Sequence, residues 1–180
     1  MANKERSDNN VSQITRDRNN DILDEEAWQK LSVEFSWSEQ LLEKYQDKVD
    51  WKAVSENDNM VWTASMLEKF RHFIDWDVLS RCGHQCILTA EMLERFKKYW
   101  NWSELSGNDR FDLDYELIDR FIDRWDWTAL IDRYDESNLF NYEFLERYGA
   151  YIPASALRGS NLWRNIVEER KWQLAREITV

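Results

Sequence analysis

The chain is poor in the residues that build turns and crosslinks: it has four Gly, one Pro and two Cys in 180 residues. Scarce Gly and Pro disfavour a sheet built on tight hairpins and favour helices. Two cysteines are too few for a disulfide framework. The sequence has no apolar run of membrane-spanning length, and its first residues lack the apolar stretch of a secretory signal. We therefore expect a helical protein of the cytoplasm.

Positive charge is also in deficit, since 24 Lys and Arg stand against 35 Asp and Glu, for a formal net charge of -11. Direct binding to nucleic acid is therefore not expected, because phosphate binding needs clustered basic side chains. An acidic surface instead attracts a basic partner at long range. The chain is rich in tryptophan, with eleven residues, and large indoles can build a core from few positions.

A repeat of about 25 residues is the strongest pattern in the sequence. Trp51, Trp76, Trp102 and Trp127 follow one another at steps of 25, 26 and 25 residues. A second aromatic residue recurs in the same register, at Tyr45, Phe70, Phe96, Phe121 and Tyr148. Five copies result, roughly residues 33 to 158, and Trp28–Ser32 forms a preceding half-copy.

Each copy carries the signals of one short helix followed by a tighter turn. Residue types that cap helix N-termini share one position, at Ser38, Thr63, Thr89, Asp114 and Asn141. An apolar residue that can pack back on the first turn precedes each cap, at Trp37, Trp62, Leu88, Leu113 and Phe140. The pattern predicts a helix of about two to three turns. The segment Trp51–Ser55 is too short for a stable α-helix, and its spacing predicts a 3₁₀ turn.

These elements predict an all-α fold: a solenoid of about five 25-residue repeats, each an α-helix plus a 3₁₀ turn, ending in a C-terminal capping helix. A single copy cannot bury its own apolar stripe, whereas stacked copies can, with the repeated tryptophans in the core. We expect a disordered tail over residues 1–20, a repeat domain over 21–158 and the capping helix over 159–180. The residues available for the inner face of that helix are Leu162, Trp163, Ile166, Val167 and Trp172.

The segment Trp51–Asn57, followed by Thr63 and by Met66–Phe70, resembles the leucine-rich-variant repeat. It is also similar to the short Trp-Ser-x-x-Leu-Leu-Glu-Lys-Tyr repeats of uncharacterised bacterial and giant-virus proteins. The resemblance covers roughly residues 28 to 157. It implies α-helices paired with 3₁₀ helices and stacked into a right-handed superhelix, but no particular activity, because repeat folds host many kinds of binding.

A zinc site is one interpretation of Cys82, His84 and Cys86, since zinc accepts thiolate and imidazole ligands. The spacing matches no common zinc motif, however. Cys86 shares its repeat position with Met60 and Phe35, which predicts a small buried hydrophobe. We therefore favour the structural interpretation and expect no cofactor.

An acid–base pair occurs in every copy, and its acids are Glu43, Glu68, Glu94, Asp119 and Glu146. Stacking would align these pairs into ladders of alternating charge. The ladders could form a binding stripe or a solvated face that holds neighbouring copies in register. We favour the second interpretation, because every copy carries the pair.

Tyr115 and Tyr142 occupy the first helical position of their copies and should be exposed. Exposed aromatics often anchor interfaces, although packing of the two tyrosines on each other would explain them equally well. The sequence has no phosphate-binding glycine loop, no metalloprotease histidine pair and no nucleophile elbow, so we do not expect an enzyme.

Three functional hypotheses follow. The first is a protein-binding module of the adaptor, inhibitor or immunity type, whose acidic surface steers a basic partner. The second is a nucleic-acid mimic that blocks a DNA- or RNA-binding enzyme. The interleaved basic residues of the repeats argue against the clean acidic row that a mimic needs. An enzyme ranks third.

Overall fold

A computed structural model describes residues 2–83, 85–134, 136 and 138–179, with side chains over the described positions from 18 to 178. The chain divides into two compact units, one ending at Asp75 and the other beginning at Trp76. We call them the N-terminal and the C-terminal unit. The described residues form twelve helices and no strand, which confirms the all-helical class.

The N-terminal unit contains four helices: α1 (Ala2–Glu34), α2 (Glu39–Tyr45), α3 (Trp51–Glu56) and α4 (Ala64–Phe70). The C-terminal unit contains eight: α5 (Trp76–Cys82), α6 (Ala90–Arg95), α7 (Trp102–Gly107), α8 (Tyr115–Arg120), α9 (Trp127–Leu130), α10 (Tyr142–Tyr148), α11 (Ala154–Leu157) and α12 (Asn161–Thr179). Helices pack in a repeated pattern within each unit, with α3 on α1 in the first and α7 on α5 and α9 in the second.

The predicted N-caps are all present. In each copy the cap side chain accepts a hydrogen bond from the backbone N–H three residues later, as Thr63 does from Met66 at 3.2 Å and Asp114 from Leu117 at 2.7 Å. The apolar residue before each cap is buried in all five copies. Capping satisfies donors that a short helix cannot satisfy itself, so helices of six or seven residues begin where the sequence predicts.

The second element of each copy is an α-helix and not the predicted 3₁₀ turn. Val54 N–H donates to the Asp50 carbonyl at 2.9 Å, and Leu105 N–H donates to the Asn101 carbonyl at 2.9 Å, which is the four-residue spacing of an α-helix. A second cap explains the difference. Asp50 Oδ1 accepts from the N–H groups of Lys52 and Ala53, so the first turn is stabilised from outside the helix.

The most deeply buried positions include aliphatic residues of α2, α3, α7 and α8. Leu42, Val54, Leu105 and Ile118 are 0% exposed. The recurring aromatic is buried in four of the five copies, for example in Phe96 at 1%. Complete burial of one such side chain stabilises the fold by about 1.5–3 kcal/mol.

The repeated tryptophans are not all in the core, which corrects the prediction. Trp51, Trp76 and Trp102 are half-buried, whereas Trp127 is 8% exposed. Each indole lies against an aromatic ring that follows the first helix of the next copy, as Trp51 does against Phe73. Trp51 Nε1 donates to the Gln46 carbonyl at 3.0 Å. An indole whose N–H bonds to a surface turn leaves one edge in solvent.

A buried serine links successive copies at four places, two in each unit. Ser106 is 0% exposed; its hydroxyl donates to the Trp102 carbonyl at 2.6 Å and accepts from Asp126 N–H at 2.9 Å. The hydroxyls of Ser32, Ser55 and Ser80 accept equivalent hydrogen bonds. Their donors are the N–H groups of Asp50, Asp75 and Asn101, respectively. The serine therefore fixes the cap residue of the next copy's second helix.

A buried side chain two residues after the serine reinforces that link. Asn108 Nδ2 donates to the carbonyls of Ser80 and Gly83, both at 2.9 Å, and Asn57 makes the equivalent bonds in the N-terminal unit. At the same position one copy later stands Arg133, which is 2% exposed. Its guanidinium donates to the carbonyls of Asn108 and Phe111 and pairs with Glu136 at 2.7 Å.

Both ends of the chain differ from the prediction. Helix α1 begins at Ala2 and includes residues expected in a disordered tail, and the half-copy Trp28–Ser32 forms its last turns. The capping helix α12 extends to Thr179, but only its beginning packs on the unit. Leu162 and Ile166 are buried as predicted, whereas Val167 and Trp172 are 48% and 62% exposed. The expected inner face therefore ends at Ile166.

Candidate binding surfaces

An acidic groove in the N-terminal unit is the most distinctive concave surface of the described residues. It encloses about 500 Å³ between α1 and the link that leads into α3. Its walls carry five carboxylates, from Asp21, Asp24, Glu25, Asp47 and Asp50. The remaining lining residues are Trp28, Gln29, Lys48 and Val49. We call this surface the acidic groove.

Helical spacing places the α1 side of the groove. Asp21, Asp24, Glu25 and Trp28 follow one another at i, i+3, i+4 and i+7, which puts them on one face of α1. Trp28 is half-buried at the base of this face, where its ring packs 5.4 Å from the ring of Tyr45. The indole thereby anchors an acidic helix face to the body of the unit.

The opposite wall is held by hydrogen bonds. Asp50 caps α3 through Oδ1, and its own N–H donates to Ser32 Oγ at 2.9 Å. Because Ser32 belongs to α1, this bond joins the two walls. The link beside α1 therefore has a defined position, and Asp47 and Asp50 remain close to the acids of α1.

The charge of the acidic groove is largely uncompensated. Asp21, Asp24, Glu25 and Asp47 form no ion pair with any residue whose side chain the structure describes, and Lys48 is the single basic residue of the lining. Clustered carboxylates beside an indole suit a cationic side chain, which gains Coulomb attraction and a contact with the aromatic face.

The two candidate tyrosines do not come together. Tyr142 is 57% exposed and lines a groove of about 440 Å³ beside α12. Tyr115 is half-buried, and its ring stacks 6.1 Å from that of Tyr148. The Arg147 guanidinium lies 4.9 Å from the Tyr115 ring centroid. Tyr115 is therefore part of the packing between α8 and α10, and Tyr142 is the tyrosine of the two that faces solvent.

Asp119 organises the contact between α8 and α10. It forms an ion pair with Arg147, and its Oδ1 accepts a hydrogen bond from Tyr148 Oη at 2.8 Å. Burial, followed by the bond to Asp119, raises the pKa of Tyr148 well above its ordinary value. Burial and the charge of Glu143 also raise the pKa of Tyr115. Both tyrosines therefore stay protonated at neutral pH.

The acids of the predicted charge ladder divide between two kinds of contact. Pairs between successive copies join Glu43 to Lys69 at 2.8 Å and Asp119 to Arg147. The hydrogen bond that Lys69 donates to Glu43 raises the pKa of Lys69. Glu68 and Glu94 bind basic residues three positions later, Arg71 at 2.9 Å and Lys97 at 2.6 Å. Glu146 is exposed. These contacts resemble a solvated, register-holding face more than a binding stripe.

The described side chains around Cys82 and Cys86 do not form a metal site. Cys86 is exposed, which corrects its assignment as a buried hydrophobe, and Cys82 is half-buried. His84 lies outside the described residues. Among the described side chains no group of three His, Cys, Asp or Glu residues could hold a metal ion.

The acidic groove was missed in the sequence analysis, although its α1 side carries a readable signal. Three acids and a tryptophan at helical spacing indicate an amphipathic face, and they lie directly before the first repeat. The contribution of Asp47 and Asp50 could not be foreseen, because it depends on how the link packs beside α1.

Comparison of the chain with protein-family models, with curated proteins and with solved structures found no match. In the described part of the chain, no helix is both long enough and apolar enough to cross a membrane.

Proposed function

We propose that the protein is a non-catalytic protein-binding module of the adaptor, inhibitor or immunity type, and that the acidic groove binds a basic segment of its partner. The supporting observation is the set of carboxylates in that groove that lack ion-pair partners among the described side chains. A partner would contribute Lys or Arg side chains, and the exposed indole edge of Trp28 would contact one of them. The proposal includes a cytoplasmic location.

The repeat pattern supports the same proposal at the level of architecture. We propose that the five copies, which resemble leucine-rich-variant repeats, form a solenoid. Stacked repeats offer extended surfaces for macromolecules. The serine and asparagine links, which recur in both compact units, provide the connection between copies that such stacking requires.

Affinity capture with the immobilised full chain tests the proposal. The groove variant Asp21→Asn/Asp24→Asn/Glu25→Gln removes three charges while keeping side-chain size. The control Glu91→Gln/Glu116→Gln/Asp123→Asn removes three charges from exposed positions of the C-terminal unit. We expect the wild type and the control to recover the same stoichiometric basic partner. The groove variant should bind it about tenfold or more weakly.

The salt dependence gives a second criterion. The on-rate of the wild type should fall as salt rises, because screening weakens long-range attraction between opposite charges. If the groove variant and the control lost the same amount of affinity, the effect would come from net charge. That result would reject the acidic groove as the binding site. Recovery of no partner at any salt concentration would reject the protein-binding function.

A further inference from the structure

The second half of α12 has an apolar face that no described residue of its compact unit covers. Every residue from Val167 to Ile178 is exposed, and this stretch includes Leu174 at 41% and Ile178 at 83%. Val167, Lys171, Leu174 and Ile178 follow at steps of four, three and four residues, which is the spacing of one helix face. An open hollow of about 450 Å³, lined only by side chains of α12, follows this stripe. We call it the α12 stripe.

We propose that the α12 stripe pairs antiparallel with the same stripe of a second copy of the chain. This surface differs from the acidic groove, so the two proposals stand independently. The spacing corresponds to alternating d and a positions of a heptad, the pattern that lets two helices pack side by side. In an antiparallel pair Val167 of one copy packs on Ile178 of the other, and Leu174 covers the aliphatic stem of Lys171.

Charge balance identifies a second copy as the occupant. The chain as a whole is strongly acidic, at -11, so most of its surface repels another copy. Residues 167–178 carry three acids and three bases and are formally neutral. Along this helix two copies can therefore approach without adding to the repulsion, whereas a basic partner would be drawn to more acidic surfaces.

The charged residues on one flank of the α12 stripe indicate that the two helices pair antiparallel. Arg170 and Glu177 lie seven residues apart on the same side, and within one copy they form an ion pair at 3.4 Å. In an antiparallel pair this flank meets itself, so each Arg170 faces Glu177 of the second copy. In a parallel pair Arg170 would face the position of Ala175, which carries no charge. Opposite charges at flanking positions set helix orientation.

The paired helices are short, which limits the strength of the dimer. Twelve residues of helix span about 18 Å, and two such faces bury less than the roughly 1,200 Å² of a standard stable interface. We therefore expect a reversible dimer that forms at micromolar or higher protein concentration.

Sedimentation velocity of the full chain, from about 1 to about 500 µM, tests the pairing. The wild type should shift from monomer toward dimer across this range, and Leu174→Glu should remain monomeric. Ser65→Glu is the matched control, because it adds the same charge at an exposed position outside α12 and should dimerise like the wild type. Circular dichroism at low concentration verifies that helix content is unchanged, as expected for a substitution at an exposed residue.

Exchanging the charges of Arg170 and Glu177 tests whether the helices pair antiparallel. Arg170→Glu should weaken the dimer about tenfold or more, and the double variant Arg170→Glu/Glu177→Arg should restore it. A wild type that stays monomeric throughout, or a dimer that Leu174→Glu leaves intact, would overturn the proposal and leave the stripe to a different partner. A dimer that the exchange does not rescue would overturn the antiparallel arrangement. None of these results bears on the acidic groove.

Discussion

At the scale of single residues, small buried polar side chains determine how one copy joins the next. Ser106 and Asn108 satisfy backbone groups that the ends of short helices leave unpaired. A buried donor without a partner costs about 1–3 kcal/mol, so each link also penalises alternative packings. The serine is therefore as important to the repeat as the large apolar residues.

Ser106→Ala should lower the free energy of unfolding by about 1–3 kcal/mol, because Asp126 N–H loses its acceptor in a buried place. Urea denaturation measures the change. Ser65→Ala is the control, since Ser65 is an exposed serine inside α4, and it should change stability by less than about 0.5 kcal/mol. Equal effects of the two substitutions would contradict a specific role for the buried hydroxyl.

At the scale of helices, α8 and α10 are joined by a contact that depends on the protonated form of Tyr148. Its hydroxyl donates to Asp119, and ionisation would place two negative charges side by side. Because the pKa of Tyr148 is raised in the folded protein, its contribution to stability is complete below the ordinary tyrosine pKa of about 10. That contribution is lost as the pH rises through the folded pKa.

Tyr148→Phe should cost about 0.5–1.5 kcal/mol at neutral pH, since the ring packing stays and one hydrogen bond is lost. Above pH of about 10 the difference between the wild type and the variant should shrink or reverse, because a phenylalanine side chain cannot ionise. Denaturation at a series of pH values measures the difference. A constant difference up to pH of about 12 would show that folding leaves the pKa of Tyr148 at its ordinary value, because only a pKa that differs between the folded and unfolded states makes stability depend on pH.

At the scale of the whole molecule, net charge and local ion pairs act in opposite directions. A charge of -11 destabilises the compact state through self-repulsion. The pairs of Lys69 and Arg147 are partly exposed, with side chains 37% and 45% accessible, so solvent weakens both attractions. The buried pair of Arg133 is screened little by salt.

We therefore expect added sodium chloride to raise the free energy of unfolding, since screening relieves more repulsion than it removes attraction. Thermal denaturation between about 10 mM and about 500 mM salt measures this, over which the Debye length falls from about 30 Å to under 8 Å. A melting temperature that falls with salt would mean that the ion pairs outweigh the net charge. Sodium sulfate is unsuitable as the added salt, because it also strengthens hydrophobic burial.

The local features of this protein could be predicted from its sequence. The five caps and the buried residues before them were placed correctly, because capping and apolar spacing depend on residues a few positions apart. The second helix of each copy differs from the predicted 3₁₀ turn, because propensity and length alone disfavour an α-helix there. Its cap at Asp50 and the link from Ser32 supply the missing stabilisation.

The sequence by itself determined that the protein is helical, where its short helices begin and which apolar residues they bury, since these depend on neighbours along the chain. Tertiary structure decided the burial of the tryptophans, the roles of Ser106 and Asn108, the link beside α1 that completes the acidic groove, and the end of packing along α12 at Ile166. Each of these depends on a contact across 18 or more residues, or on solvent reaching one face of a helix and not the other. The spacing of residues within a repeat predicts neither these long-range contacts nor which helix face solvent reaches.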